Sequence, residues 1–535
     1  MTALPDPVTS PLAAHRGFRP VLLLACFIVI SAFTRWLSFV VPVLDIDEAA
    51  HIVGSWEMLR GGLLYTDFVN NKPPLLYVYY AVAQLFFGRS LIGVHAFTAL
   101  VTVPLTALAV SAFFDHARRG VIGGVTFLVF SAAFIGHDVL ASNAEIAMML
   151  PASWAFVVVR DERRLSSWPH VAACGVLLGA AVLTKYQAGM WLPGIAALAA
   201  WAGWRRRGAV PAVALPIVIA AAAAVPLIVT WAWFRARGGD AMLIYWTVGN
   251  NIAYTTRAIL PSEAADRFLS YAVPFAIVTA PLWWAARRLR ESDESAVRRA
   301  LMLTLVVFAI PAAFLGFRFY PHYFVLLYVP LAIAAAPWLE AQFVPRSTRT
   351  GRRVAGWALA VLAGFMVANA VLYLGGLRVY REIDPVFRRV AARLRADGCA
   401  RGATMFVWGY APAFYYYADL PIASRFAVMA QSRLTGYVSG NLASVRGEAE
   451  PDPIVPEHWD WLMGDLERRR ATFVVDTAPA GIYRWDRYPI ERYPRLRDYL
   501  AEHYEAVDSV DAVRIYRRKS CSDDASKPAS RKASK

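Results

Sequence analysis

A succession of eleven apolar runs constrains this chain more than any other feature. They lie near 20–40, 91–113, 121–137, 144–159, 168–184, 187–203, 210–233, 268–286, 300–316, 322–338 and 354–376. A hydrocarbon core of about 30 Å takes roughly 20 apolar residues at 1.5 Å each, so each run is read as a membrane span. Composition agrees, with 58% of the 535 residues hydrophobic and only 18% charged. That excludes a disordered chain and an ordinary cytosolic enzyme. The fold class expected is a membrane all-α bundle.

The formal charge of +16 fits nucleic acid, an anionic surface or a sidedness signal, and its placement decides between them. Arginines cluster between runs, at Arg118/Arg119, Arg160/Arg163/Arg164, Arg205/Arg206/Arg207, Arg287 to Arg299 and Arg346 to Arg353. If residues 73–87 do not cross the membrane, all five clusters fall on one side, which the positive-inside rule makes cytoplasmic. A fifteen-residue helix is only about 22 Å long, so this segment is expected to lie at the outer interface or to dip partly in, with Tyr77, Tyr79 and Tyr80 suited to the headgroup zone. The first run is too long for a signal peptide and lacks a small-residue cleavage site, so it is kept as a helix with its N-terminus in the cytoplasm. The basic excess is then an orientation signal plus a basic tail, and no nucleic-acid partner is expected.

Three parts follow from this reading. Residues 1–376 form the transmembrane part, and 377–516 a small extracytoplasmic α/β or α+β domain. The strand-like runs Thr404 to Trp408, Thr472 to Asp476 and Val513 to Tyr516 alternate there with helical stretches. Residues 517–535 form a polar tail expected to be disordered. Cys26 and Cys174 sit in apolar runs, whereas Cys399 and Cys521 lie in the polar third and could pair if it faces an oxidising compartment. Trp408, Tyr410 and Tyr415 to Tyr417 form an aromatic cluster, read as the domain's own core or as a face for sugar rings or lipid.

With this topology the unusual polar residues collect on the outer face. The first outer loop holds Asp45, Asp47, Glu48 and His51, then Asn70, Asn71 and Lys72. The second holds His137, Asp138, Ser142, Asn143 and Glu145; Lys185 ends the fifth span, and Arg318 and His322 open the tenth. Singly, each reads as a helix cap, a snorkelling lysine or an interfacial histidine. Together they place carboxylates beside cations at one membrane face, where ionisable groups are costly. A cation can hold the phosphate of a lipid-linked donor as a leaving group while a carboxylate deprotonates an acceptor hydroxyl.

These same residues carry a resemblance. Asp47-Glu48, Asn71-Lys72-Pro73-Pro74-Leu75-Leu76-Tyr77, Ser142-Asn143-Ala144-Glu145, Leu183-Thr184-Lys185 and Tyr320-Pro321-His322-Tyr323-Phe324, in that order, resemble the polyprenol-phosphate-sugar-dependent glycosyltransferases of the GT-C fold, family 39 and its bacterial relatives. That family includes protein O-mannosyltransferases, the aminoarabinose transferase acting on lipid A and lipopolysaccharide-core sugar transferases. The resemblance implies a GT-C bundle, here of about eleven spans, in a bacterial inner membrane with its site outside. It makes Asp47 the base or the group that orients the acceptor, and it puts Lys72 and Lys185 on the donor phosphate with Arg318 and His322 nearby. It implies a polyprenyl-phosphate-linked sugar as donor, a lipid, glycan or protein as acceptor, and inversion in one displacement.

Two departures matter. A glutamate that precedes the Lys-Pro-Pro motif in the aminoarabinose branch and helps bind a metal is Asn71 here, and the first-loop motif reads Asp-Glu-Ala-Ala-His without the Arg-Tyr that often follows. A divalent ion would then depend on Glu48, His51, Asp138 and Glu145, which are otherwise acceptor-binding candidates. A transporter is the rival reading, though transporters place ionisable sites near the midplane and often show repeats. A lipid-linked polysaccharide ligase or polymerase is the third; the outer loop from Phe234 to Phe268, with Arg235, Arg237, Arg257 and Arg267, leaves room for it.

Overall fold

The computed structural model describes residues 18–134, 136–256, 259–342, 384–429, 432–437 and 454–521, with scattered positions between 353 and 374. Its first two thirds are helical. Helix α1 (Phe18–Thr34) leads into an outer loop that carries α2 (Ile46–Leu59) and α3 (Pro74–Phe87). The bundle continues through α4 (Leu91–Ala112), α5 (Ala117–Phe130), α6 (Ala144–Val158), α7 (Trp168–Thr184), α8 (Trp191–Arg207) and α9 (Ala209–Arg235). It ends with α10 (Pro261–Val278), α11 (Ala280–Glu291), α12 (Ala296–Phe317) and α13 (Pro321–Gln342).

Ten of the eleven expected spans coincide with one of these helices or, for 268–286, with the α10–α11 pair; the run 354–376 falls largely outside the described residues. By length and apolarity four of the helices, α4, α9, α12 and α13, are sufficient to cross a membrane, and a fifth if α10 and α11, bent by 59°, count as one span. The others are shorter. Helix α13 is almost wholly buried at the centre, packed on α5, α11 and α12. Helix α9 instead turns Val210, Val213, Ile217, Ile228 and Val229 outward, as a helix against lipid would. Its inner face meets α7 closely because Gly175 and Gly179 leave room: a Cβ on Gly175 would fall 2.5 Å from the Ile219 carbonyl oxygen.

Four arginine clusters meet at one end of the bundle. Arg119 reaches Asp293 (2.9 Å), Glu340 (2.7 Å) and Glu294, while Asp115 bridges Arg160 (2.9 Å) and Arg298 (2.6 Å). Arg205 lies 3.6 Å from Glu162. The fifth cluster, Arg346 to Arg353, lies mostly outside the described residues.

Segment 73–87 differs from expectation. It is helical, but Tyr77 and Tyr80 are fully buried and the Tyr80 hydroxyl donates to the Ser142 carbonyl (2.9 Å). The reason is tertiary: Tyr77 and Tyr80 face α2 and the second outer loop, against His51 and Ser142, while Val78, Leu85 and Phe86 of the same helix are exposed. The stretch from Phe234 to Phe268 is no open loop either, since it carries short helices at Asp240–Ile244 and Asn250–Thr256.

The C-terminal part is a four-stranded mixed sheet of β1 (Met405–Trp408), β2 (Phe473–Asp476), β3 (Tyr504–Val510) and β4 (Val513–Arg518), in the order β1-β2-β4-β3. Strands β1 and β2 are parallel, and the other two pairs are antiparallel. Helices Asp384–Arg395, Pro456–Arg469 and Pro494–His503 pack around it. The expected tail boundary moves: β4 runs to Arg518, and Cys521 is bonded to Cys399. Residues 522–535 lie outside the description.

This part shares one continuous core with α2 and α3. Tyr416 stacks on Trp56 at 6.0 Å and its hydroxyl accepts from the Leu91 N–H (3.3 Å), while Arg469 pairs with Asp67 (2.6 Å). Trp408 and Tyr415 are fully buried. Trp408 and Tyr415 are therefore core, Tyr416 packs between the two parts, and Tyr410 and Tyr417 are half-buried.

Candidate active site

The site is built on the first outer loop. Arg35, fully buried after α1, donates to the carbonyls of Val139 (3.1 Å) and Leu140 (2.9 Å), which ties the first outer loop to the second. Helix α2 then starts on a capping box: the Asp45 side chain accepts from the Asp47 N–H (3.0 Å), and Glu48 reaches back to the Asp45 N–H (3.3 Å). Glu48 also accepts from the Leu44 N–H (3.1 Å), the Ser142 N–H (2.5 Å) and His95 Nε2 (2.7 Å). Its carboxylate is thus occupied in clasping three segments. Glu48, a metal or acceptor candidate by sequence, has both carboxylate oxygens engaged by these protein donors and lies outside the cluster of possible ligand atoms described below.

Around this clasp the other candidates converge. Lys72 Nζ lies 2.9 Å from Asp47, and Lys185 Nζ lies 2.7 Å from Glu145. The first pair is partly open, at 17% and 27% exposure, whereas the second is buried at 9% and 1%. His322 joins them: Nδ1 is 2.5 Å from Asp138 and 4.0 Å from Asp45, and Nε2 is 3.9 Å from Glu145. Lys185 also sits 5.2 Å over the Tyr323 ring. Arg318 is buried on the turn into α13, where its carbonyl accepts from Arg267 Nη1 (3.3 Å). His51, one helical turn beyond Asp47, is buried against the edges of Tyr77 and Tyr80.

The electrostatics separate the carboxylates of the first loop. Burial pushes the Asp45 carboxyl up to about 7, and the charges of Asp138 and Asp47 push the same way. For Asp47 burial also pushes upward, but Lys72 and its other neighbours outweigh it and hold the carboxyl below the usual range. Lys72 is correspondingly raised despite its burial, chiefly by Asp47. Burial takes the His51 imidazole down to about 3, so the ring is neutral.

Asp45, Asp138 and His322 offer ligand atoms all within 4.8 Å of one another, a set that could hold a divalent cation. Two carboxylates and an imidazole suit zinc and similar ions. Asn143 Nδ2 orients the set by donating to Asp45 Oδ2 (3.0 Å) and to the Asp138 carbonyl (3.3 Å). Of the four metal candidates read from sequence only Asp138 belongs to it. Asp45 was passed over because it reads as a helix cap, and it is one; its second oxygen is what joins the cluster. His95, a histidine within an apolar run, was the missed signal for the Glu48 clasp.

This helix bundle with a charged cluster at one end shares its fold with solved membrane-protein structures. Among solved structures the chain is similar to ArnT from Cupriavidus metallidurans bound to undecaprenyl phosphate, with a TM-score of 0.56 at 16% identity over 93% of this chain and 97% of that one. The apo form of the same protein gives 0.56 at 16% over 94% and 98%. The Archaeoglobus fulgidus oligosaccharyltransferase tethered to an acceptor peptide containing the NVT sequon gives 0.50 at 11% over 92% and 73%. No family model and no curated protein matches the sequence.

Proposed function

We propose that this protein is a membrane glycosyltransferase that moves a sugar from a polyprenyl-phosphate carrier to an acceptor hydroxyl at the outer face of a bacterial inner membrane. The observation that carries this reading is the convergence of two lysine–carboxylate pairs, Lys72 with Asp47 and Lys185 with Glu145, in one cluster at the end of the bundle opposite the arginine clusters. The same clustering at one end weighs against a midplane transport site. The Cys399–Cys521 disulfide supports an oxidising compartment for the C-terminal part, and about eleven spans with 377–516 outside remain the topology that fits the charge pattern.

In the proposed reaction the donor phosphate displaces Asp47 and Glu145 from the two lysines. Asp47, released from its counter-ion, regains basicity and takes the proton of the acceptor hydroxyl. The acceptor oxygen bonds to the anomeric carbon from the face opposite the phosphate, and the anomeric carbon–oxygen bond breaks. The bonding pair leaves on the phosphate oxygen, where Lys72 and Lys185 stabilise it, with Arg318 further out. A divalent ion on Asp45, Asp138 and His322 would supply Lewis-acid polarisation of an oxygen ligand. The configuration inverts once.

Transfer from a polyprenyl-phosphate sugar by purified protein, compared between the parent and Asp47→Asn, tests the reading. Near-complete loss with retained folding is expected; full activity would remove Asp47 as the base. For sidedness, Arg89→Cys places a thiol at an exposed position after α3 that an impermeant reagent should label from outside. Labelling from the cytoplasm alone would reverse the topology.

A further inference from the structure

His51 is the one cluster histidine whose ring is left unused: among the described residues both nitrogens are buried without a hydrogen-bond partner, and the residue is 1% exposed. The neighbouring Tyr77 hydroxyl is likewise buried and unpartnered, with ring centroids 6.1 Å apart. Buried polar atoms are almost always satisfied in a finished interior, so two adjacent orphans mark a place that a ligand completes. The rigid surroundings hold the imidazole where it is: α2 fixes it one turn from Asp47, and Tyr77 and Tyr80 pack edge-on against its ring.

The charges around it identify the ligand. His51 interacts with Asp47, Lys72, Lys185 and Glu145, the four members of the two lysine–carboxylate pairs. A group that separates both pairs must be an anion rich in acceptor oxygens. A phosphate monoester or diester has more lone pairs than two ammonium groups can fill, and a neutral N–H adds a donor there without adding a third positive charge to a dry site. A protonated histidine would repel both lysines.

From this geometry we infer that His51 is a donor-binding residue, a neutral imidazole that donates its N–H to a phosphate oxygen of the polyprenyl carrier held between Lys72 and Lys185. The inference rests on the donor-phosphate reading proposed above and goes further, adding a third and uncharged phosphate ligand.

The test uses the full-length protein in detergent with undecaprenyl phosphate alone as the probe, comparing the parent with His51→Phe, His51→Gln and Lys72→Ala. His51→Phe keeps a flat ring between the tyrosines and removes both nitrogens. It should weaken undecaprenyl phosphate binding about tenfold. The ligand-free melting temperature should stay level or rise, because unsatisfied buried atoms are removed. His51→Gln should recover part of the binding. In transfer assays the KM for the lipid donor should rise more than kcat falls, and the KM for the acceptor should not move. A lowered melting temperature with unchanged binding would overturn the inference in favour of a packing role, and a rise in acceptor KM alone would overturn it in favour of an acceptor contact. If His51→Phe binds normally while Lys72→Ala does not, the inference fails and the donor-phosphate reading stands. If both bind normally, the donor-phosphate reading itself fails.

Discussion

The two ends of the helix bundle are both rich in buried charge, yet they are finished to different degrees. At the arginine end several charges are shared: Arg119 holds Asp293, Glu294 and Glu340, Asp115 is shared by Arg160 and Arg298, and Arg298 also reaches Glu294 (3.1 Å), with Arg160 Nε the one atom of these groups buried without a partner among the described residues. At the other end, among the described residues, Lys72 and Lys185 each have one ion-pair partner, and the His51 ring nitrogens, Tyr77 Oη and Asn71 Oδ1 are buried without a hydrogen-bond partner. A saturated network rigidifies, whereas a half-filled one costs stability and keeps its groups available to a ligand. The difference separates a clamp from a site.

The comparison is broken most decisively by Asp47→Asn. We expect transfer to fall about a hundredfold or more, the usual range for losing a general base, with the unfolding temperature in detergent nearly unchanged. A stability loss as large as the activity loss would make Asp47 part of a clamp as well. The converse holds for Arg119→Met, which leaves Glu294 and Glu340 without their main partner. Its cost should be about 3–5 kcal/mol in unfolding, and the fraction that folds should transfer sugar at the parent rate. Lys72→Ala comes next, with an expected donor KM about tenfold higher and a smaller change in kcat, measured with a series of lipid donor concentrations. An unchanged donor KM would take Lys72 off the phosphate.

The smallest effect sharpens the contrast by adding a third region. Cys399→Ser removes the covalent link between the Asp384–Arg395 helix and the end of β4, and should destabilise the C-terminal part by about 2–4 kcal/mol. Limited proteolysis should show faster cleavage there, with the bundle intact. Because α2 and α3 share their core with this part, a modest rise in donor KM should accompany it. Cleavage at the parent rate would mean the shared core alone holds that part in place.

Much of the bundle was legible because the relevant signal is local. Span 168–184 and helix α7 agree at both ends, since Trp168-Pro169 starts the helix and the change from apolar Leu183 to Lys185 ends it. The arginine clusters were read as one-sided, and four of them do meet at one end. The strands at Thr404, Thr472 and Val513 were visible as short apolar and β-branched runs. Asp47, Lys72, Glu145, Lys185, Asp138 and His322 were named from sequence and lie together. The differences around the site were questions of partner. Tyr77 and Tyr80 were given to lipid and belong to the interior, and Glu48 was given to chemistry and belongs to a clasp.

Sequence by itself determined which segments are apolar, where the arginines cluster between them, and which polar residues stand out beside them. These are one-dimensional properties, set by transfer free energies residue by residue. Tertiary structure alone decided who pairs with whom. It put Asp45 rather than Glu48 beside Asp138 and His322, joined Cys399 to Cys521, and left His51 without a partner. The physical reason is range: burial and hydropathy are summed along the chain, but a hydrogen bond or an ion pair exists only within about 3–4 Å, and only the packing of α2, α3, α7 and α13 brings those atoms that close.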